Sequence, residues 1–320
     1  MMPLSFLSAA VPDVQPHASP VDRRRFLQAT AAALASAGWI GPARAGDAKS
    51  PPAKILVGAH PWVYAATQPK YDIYPILDSI FADMRYAGLD GIELMHTALY
   101  PEGAVARIKA LSAEHQLPVI GTSYGAAMWD SQQTSAVLKD AELVIDRLAQ
   151  VGGRTLGISV GDPGRKKTPG EFDCQAEVLR KIRAIGQTRG VVANLHNHTY
   201  EVRDDQHDLR GTLERLPDFP LGPDLNWLVR GGVDPVAFIR QHQRQIVFLH
   251  LRDQLSAGRW SEALGEGDMD YAAIAAALRE VGFSGDAIIE LAHERDFQPT
   301  RPLRESLKQS RQFVRQVCGW

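Results

Sequence analysis

The sequence predicts an α/β chain folded as a (β/α)8 TIM barrel. Three observations predict it. Eight short apolar runs rich in β-branched residues alternate with amphipathic stretches over roughly 250 residues, as expected for parallel strands covered on both faces by helices. Successive runs start 25 to 41 residues apart, enough for one strand, one helix and two loops. No G-x-G-x-x-G follows the first run, which weighs against a doubly wound nucleotide-binding sheet.

The strand candidates are ILVGAH (55–60), GIELM (91–95), PVIGTSY (118–124), TLGISV (155–160), VVANLHN (191–197), LGPDLN (221–226), IVFLHL (246–251) and AIIELA (287–292). Several are apolar throughout, as a strand buried on both faces reads. Between them run helical stripes. Ile76, Leu77, Ile80, Phe81 and Met84 form one that stops at Gly88. Leu138, Ala141, Val144, Ile145 and Leu148 form a second, ending at Gly152 and Gly153. Val178, Leu179, Ile182 and Ile185 form a third, ending near Gly190. Glycine just past the last apolar turn is the usual helix stop.

Ahead of the barrel, residues 1–45 read as a removable twin-arginine export signal. Arg23, Arg24 and Arg25 precede Phe26 and Leu27, a weakly apolar run spans Ala29 to Ile40, and Ala43-Arg44-Ala45 offers a cleavage site. That run is too short and too alanine-rich for a good membrane span, so no stable membrane anchor is expected. The expectation is a periplasmic or secreted protein of one domain, residues 46–320. Lys and Arg nearly balance Asp and Glu, for a net charge of −2, which argues against a nucleic-acid partner. The two cysteines, Cys174 and Cys318, are far apart and make no disulfide framework or zinc motif.

In a barrel of this kind the active site lies at the C-terminal ends of the strands, so the polar residues that close each apolar run are the candidates. The first strand gives His60, followed by Trp62; the second gives Glu93. The fifth gives His196 and His198, the sixth Asp224, the seventh His250 and the eighth Glu290, with His293 after it. Each alone has an ordinary reading. A strand-end histidine is often only a hydrogen-bonded structural residue, and Asp224 after Pro223 reads equally as a turn former. Glu290 and His250 interrupt otherwise apolar runs, and a buried carboxylate needs a partner. Together, four consecutive strands aim a metal-type ligand at one rim. Mixed His and carboxylate donors suit one divalent ion: Mn2+, Co2+, Zn2+, Fe2+ or Mg2+.

The blocks LHNHTYE, DLNWLVRGGVDP, HLRD and GEGDMDY, in that order, resemble those of the sugar phosphate isomerase/epimerase family, which has the xylose isomerase-like barrel. The resemblance spans most of residues 46–320 and is strongest from about 190 to 292. It implies a divalent metal held by His196, Asp224, His250 and Glu290. Many sugar epimerases of that family carry Glu where this chain has His196, and a pair of glutamates there binds the metal and moves the proton. Here the pair is broken, so His198 enters as ligand, base or substrate-binding residue, and Glu201 is undecided.

The leading expectation is a metal-dependent sugar isomerase/epimerase that moves a proton next to a carbonyl. Glu290 and a histidine are the first acid/base candidates, with Glu93 and Glu266 behind them. Glu266, in GEGD, reads equally as part of a glycine-flanked turn. Trp62 and Trp227 suit stacking on a sugar face or packing in the core. Arg230 and Arg252 suit substrate oxygens or surface ion pairs, and His60 lies on the same rim. Lys166 and Lys167 read as a solvated loop. The acidic GEGD loop is unlike a glycine-rich phosphate cradle, so a non-phosphorylated sugar or sugar derivative is expected. A lyase or hydratase eliminating from 3-keto-glycosides is the second reading, and a non-catalytic periplasmic sugar binder the third. An endonuclease-like phosphodiesterase on the same barrel would need more ligands and a basic groove. The sequence gives no basis for an oligomeric state.

Overall fold

A computed structural model describes residues 54–320. The expected export signal, residues 1–45, and the start of the expected domain lie outside the described residues. Seven parallel strands form one sheet: β1 (Val57–Ala59), β2 (Gly91–Met95), β3 (Val119–Gly125), β4 (Thr155–Ser159), β5 (Val192–Leu195), β6 (Phe248–Leu251) and β7 (Asp286–Ile289). Their order is β5-β4-β3-β2-β1-β7-β6, so only the gap between β5 and β6 interrupts a full circuit.

The sixth expected strand fills that gap, but not as a strand. Only Leu221 and Asp224 make isolated bridges, Leu221 to Leu195 and Ile246, and Asp224 to His250. The reason is local. Proline has no N–H to give to a ladder, and Pro220 and Pro223 flank Leu221-Gly222. Leu221 and Gly222 still donate their N–H groups to the Gln245 and Leu195 carbonyls at 2.8 Å each, and the prolines add carbonyls alone. Leu195 N–H donates to the Pro220 carbonyl at 2.9 Å, and His250 N–H to the Pro223 carbonyl at 2.9 Å.

Helices wrap the outside. The first expected stripe becomes α1 of the outer layer (Leu77–Tyr86), the second α2 (Thr134–Gln150) and the third α3 (Pro169–Thr188). Gly152 follows α2 at φ 91°, a left-handed stop that a side chain would strain. Ile80, Phe81 and Met84 of α1 and Val144, Ile145 and Leu148 of α2 are fully buried against the sheet. A strand alternates faces with period two. Leu249 and Leu251 thus face the helices, while Phe248, His250 and Arg252 share the interior face. Ile120, Phe248 and Ile288 pack together there as an apolar plug. His250 and Glu290 sit one step further along their strands, at the end where the barrel opens. Among the described residues, no helix is long and apolar enough to cross a membrane.

Candidate metal centre

His196, Asp224, His250 and Glu290 are all buried, and each offers one ligand atom within 4.8 Å of the others. The β6–β7 register pairs His250 with Ile288, and the Glu290 N–H donates to the Leu251 carbonyl at 3.0 Å. Backbone pairing therefore brings Asp224, His250 and Glu290 to one level. His196 follows directly on β5, with its ring 4.5 Å from that of His250 between centroids.

Asp224 works in two directions. Its Oδ1 caps a short helix, α4 (Leu225–Arg230), accepting from the N–H groups of Asn226 at 2.9 Å and Trp227 at 3.0 Å. Its Oδ2 is buried with no hydrogen bond, and the nearest cation is Arg252 at 3.5 Å. Burial raises the Asp224 carboxyl, with Arg252 opposing. His196 Nδ1 is also buried without a partner. Two buried polar atoms without partners, on two members of one His/carboxylate cluster, fit a bound dication.

His250 is clamped between two carboxylates. Its Nδ1 lies 2.6 Å from Glu290 Oε2 and its Nε2 2.7 Å from Glu93 Oε2. Burial alone would lower this imidazole, but Glu93 and Glu290 push it up to about 10, so it is an imidazolium in the metal-free protein. Glu290 is tied on its other side, where Arg252 donates to Oε1 at 2.6 Å. Burial would raise Glu290, yet Arg252 and the His250 imidazolium hold it well below the usual carboxylate range. Arg252 itself is buried and lies over Trp227 at 5.2 Å and Trp260 at 5.6 Å.

His60 faces Glu290 Oε1 at 3.5 Å. Its Nδ1 accepts the Trp62 N–H at 3.2 Å, so Nε2 carries the proton and donates to Ser123 Oγ at 2.9 Å. Burial lowers it, and it is neutral. His198 is different. Two-fifths of its side chain is open, and Nδ1 lies 3.3 Å from Ser159 Oγ. Its ring is 5.7 Å from Trp227. Desolvation, with Arg252 and His250 nearby, pushes it down to about 4, leaving a neutral, reachable imidazole.

Other sequence candidates sit elsewhere or are otherwise engaged. Glu266 bonds Arg301, Gln309 at 2.8 Å and the Ala263 N–H at 3.1 Å. It braces a loop and is no member of the ligand cluster. Arg230 is spent on Gln254 at 3.0 Å and on the Gly258 carbonyl, with Trp260 4.2 Å from its guanidinium. Trp62 stacks on Tyr71 at 5.4 Å, and His293 on Phe297 at 4.2 Å. Lys167 corrects the solvated-loop expectation: it is buried and pairs with Asp208 at 2.6 Å and Gln175 at 2.8 Å, because a buried ammonium needs such partners. Glu201 is buried as well, accepting the His198 N–H at 2.7 Å. Sequence reasoning passed over Ser123 and Ser159. The rule of polar residues ending apolar runs would have found both, had it been applied to the third and fourth strands.

The parallel barrel and its two-histidine, two-carboxylate cluster define a class: a (β/α)8 barrel with a buried polar centre able to hold a metal ion at the mouth. The chain belongs to the xylose isomerase-like TIM barrel family, which matches residues 81–317. No curated protein matches it in sequence. Among solved structures it is similar to a sugar phosphate isomerase/epimerase from Parabacteroides distasonis, at TM-score 0.65 and 16% identity over 86% of this chain and 98% of that one. It is also similar to a D-allulose 3-epimerase from Methylomonas sp. (TM-score 0.68, 16% identity, 83% and 99% covered). A 3-keto-D-glucoside 4-epimerase from E. coli matches at TM-score 0.60 and 18% identity, with 81% and 100% covered.

Proposed function

We propose that this protein is a divalent-metal-dependent sugar isomerase/epimerase that moves a proton next to a carbonyl of a non-phosphorylated sugar or sugar derivative. The observation that carries the reading is the convergence of His196, Asp224, His250 and Glu290 within 4.8 Å. The sugar epimerases among similar structures support it. The twin-arginine pattern supports an exported enzyme that meets free or glycosidic sugars.

The four ligands would hold the ion, which supplies a Lewis acid for a sugar carbonyl and its neighbouring hydroxyl. The remaining residues divide the work by charge and access. Arg252 and His250 tie up Glu290, and Glu93 lies buried against His250; neither carboxylate is free to take a substrate proton. His198 is neutral and open at the mouth, so it is the group placed to move a proton on its own face of the substrate. Trp227 beside it offers an apolar face for a sugar ring. His60, protonated on Nε2 and fixed by Ser123, orients the wall on the β1 side.

A single exposed imidazole also favours a second reading. Isomerisation can return the proton to the neighbouring carbon on the same face; β-elimination from a 3-keto-glycoside needs the same single base, which passes the proton to the departing oxygen as the carbon–oxygen bond breaks. Epimerisation needs a second group on the opposite face. The test begins with elemental analysis of purified protein beside the His250→Ala and Glu290→Ala variants. About one divalent ion per chain, lost in both variants, is expected, followed by solvent deuterium uptake into free or 3-keto sugars. Protein that stays metal-free after Mn2+, Co2+ and Zn2+ are offered would sink the reading.

A further inference from the structure

The sixth position of the barrel raises a physical problem. Asp224 must hold Oδ2 at a fixed point among the other proposed ligands, yet it stands just past the isolated bridge that ties its segment to β5 at Leu221. Backbone pairing with β5 ends at Gly222, whose N–H donates to the Leu195 carbonyl at 2.8 Å, and Pro223 has no N–H to carry it further. A ligand beyond the last β5 contact would be placed loosely on that side, and metal affinity is sensitive to such misplacement.

Asn197 meets this need. Its Oδ1 accepts the Asp224 N–H at 3.1 Å, and its Nδ2 donates to the Asp224 carbonyl at 3.3 Å. A primary amide presents the same donor–acceptor pair as a peptide group. Both bonds are buried, Asn197 being 4% exposed and Asp224 0%. The two bonds reproduce, from a side chain, the paired contact that a neighbouring strand would give. Asn197 also sits between His196, a ligand, and His198 at the mouth, so one tripeptide sets three features of the site.

We propose that Asn197 is a positioning residue that carries the β5 pairing of the 220–224 segment on to Asp224 and fixes this proposed metal ligand. The inference rests on the metal reading above. Without the amide, Asp224 keeps its bridge to His250 and its helix cap, so the fold persists while the ligand atom loses its setting.

The test is Mn2+ binding by isothermal titration calorimetry, with thermal unfolding measured in parallel. Asn197→Leu keeps the volume and removes both hydrogen bonds; it is expected to weaken Mn2+ binding roughly 10- to 100-fold. Asn197→Asp keeps the acceptor for the Asp224 N–H and loses the donor, so it gives a smaller loss and covers the case in which the leucine variant does not fold. Leu148→Ala, a cavity in α2 away from the site, lowers the melting temperature and leaves the Mn2+ affinity unchanged. Wild-type affinity in a folded Asn197→Leu or Asn197→Asp protein overturns the proposal. A wild-type chain that binds no Mn2+ instead sinks the metal reading, and this role with it.

Discussion

At the scale of single residues, the charge states at the centre are set by who faces whom. His250 is the clearest case. Its imidazolium is stabilised by Glu93 and Glu290 up to about 10, yet a metal ligand must be a bare nitrogen. Binding therefore releases a proton. Below that value, raising the pH converts more of the site to the competent form. The Mn2+ affinity should rise by up to about tenfold per pH unit around neutrality, and titration calorimetry in two buffers of different ionisation heat should register the proton. An affinity flat with pH would mean that His250 does not lose its proton. Glu201 shows the opposite pattern. Burial raises this carboxyl to about 8, so the folded state prefers it protonated. Its penalty on stability is absent below the ordinary carboxylate range and grows as pH rises from there through about 8. Glu201→Gln keeps an acceptor for the His198 N–H and removes the charge. It should therefore gain melting temperature relative to wild type at about pH 8 and gain little at about pH 4; an equal shift at both would refute the assignment.

At the scale of elements, two sequence blocks prove to be one structure. Asp253, which closes HLRD, accepts the N–H groups of Gly265 and Gly267 at 3.0 Å each and of Met269 at 3.3 Å. The GEGDMDY loop is wound around that carboxylate. This explains its glycines. A Cβ on Gly267 would stand 2.2 Å from Asp253 Oδ1 and 2.6 Å from the Gln254 carbonyl. Gly267→Ala should cost about 1–3 kcal/mol, the range for forcing an atom into a packed site, read as a lower urea midpoint at constant m-value. An unchanged midpoint would show that the loop moves aside freely. Element boundaries also limited the sequence reading. The sixth run was legible as a position in the βα rhythm, since its Asp224 falls one unit before His250. Its failure to ladder follows from two prolines whose consequences depend on which neighbours offer carbonyls and which offer N–H groups.

At the scale of the whole molecule, the barrel gathers three buried carboxylates, Glu93, Asp224 and Glu290, around one permanent buried cation, Arg252. A dication would balance them with both ligating histidines neutral. Binding to the folded chain alone should stabilise it by mass action, about 2.7 kcal/mol at a free metal concentration one hundred times the dissociation constant. Stripping the metal with a chelator should then lower the melting temperature, and restoring Mn2+ should return it. A melting temperature indifferent to the metal would contradict binding at this buried centre.

The sequence by itself determined the alternation of strands and helices, the rim to which polar residues report and the four strand-end residues that the fold gathers there, because period and strand-end position are local properties of the chain. It could not assign Lys167, Glu266 or Arg230, whose side-chain partners lie between 8 and 43 residues away along the chain. Nor could it divide Glu290 from His198. Both are titratable groups on the same rim. Only the tertiary structure places Arg252 and His250 against one and leaves the other open to solvent, and the electrostatic environment of a group is set by neighbours brought together in space.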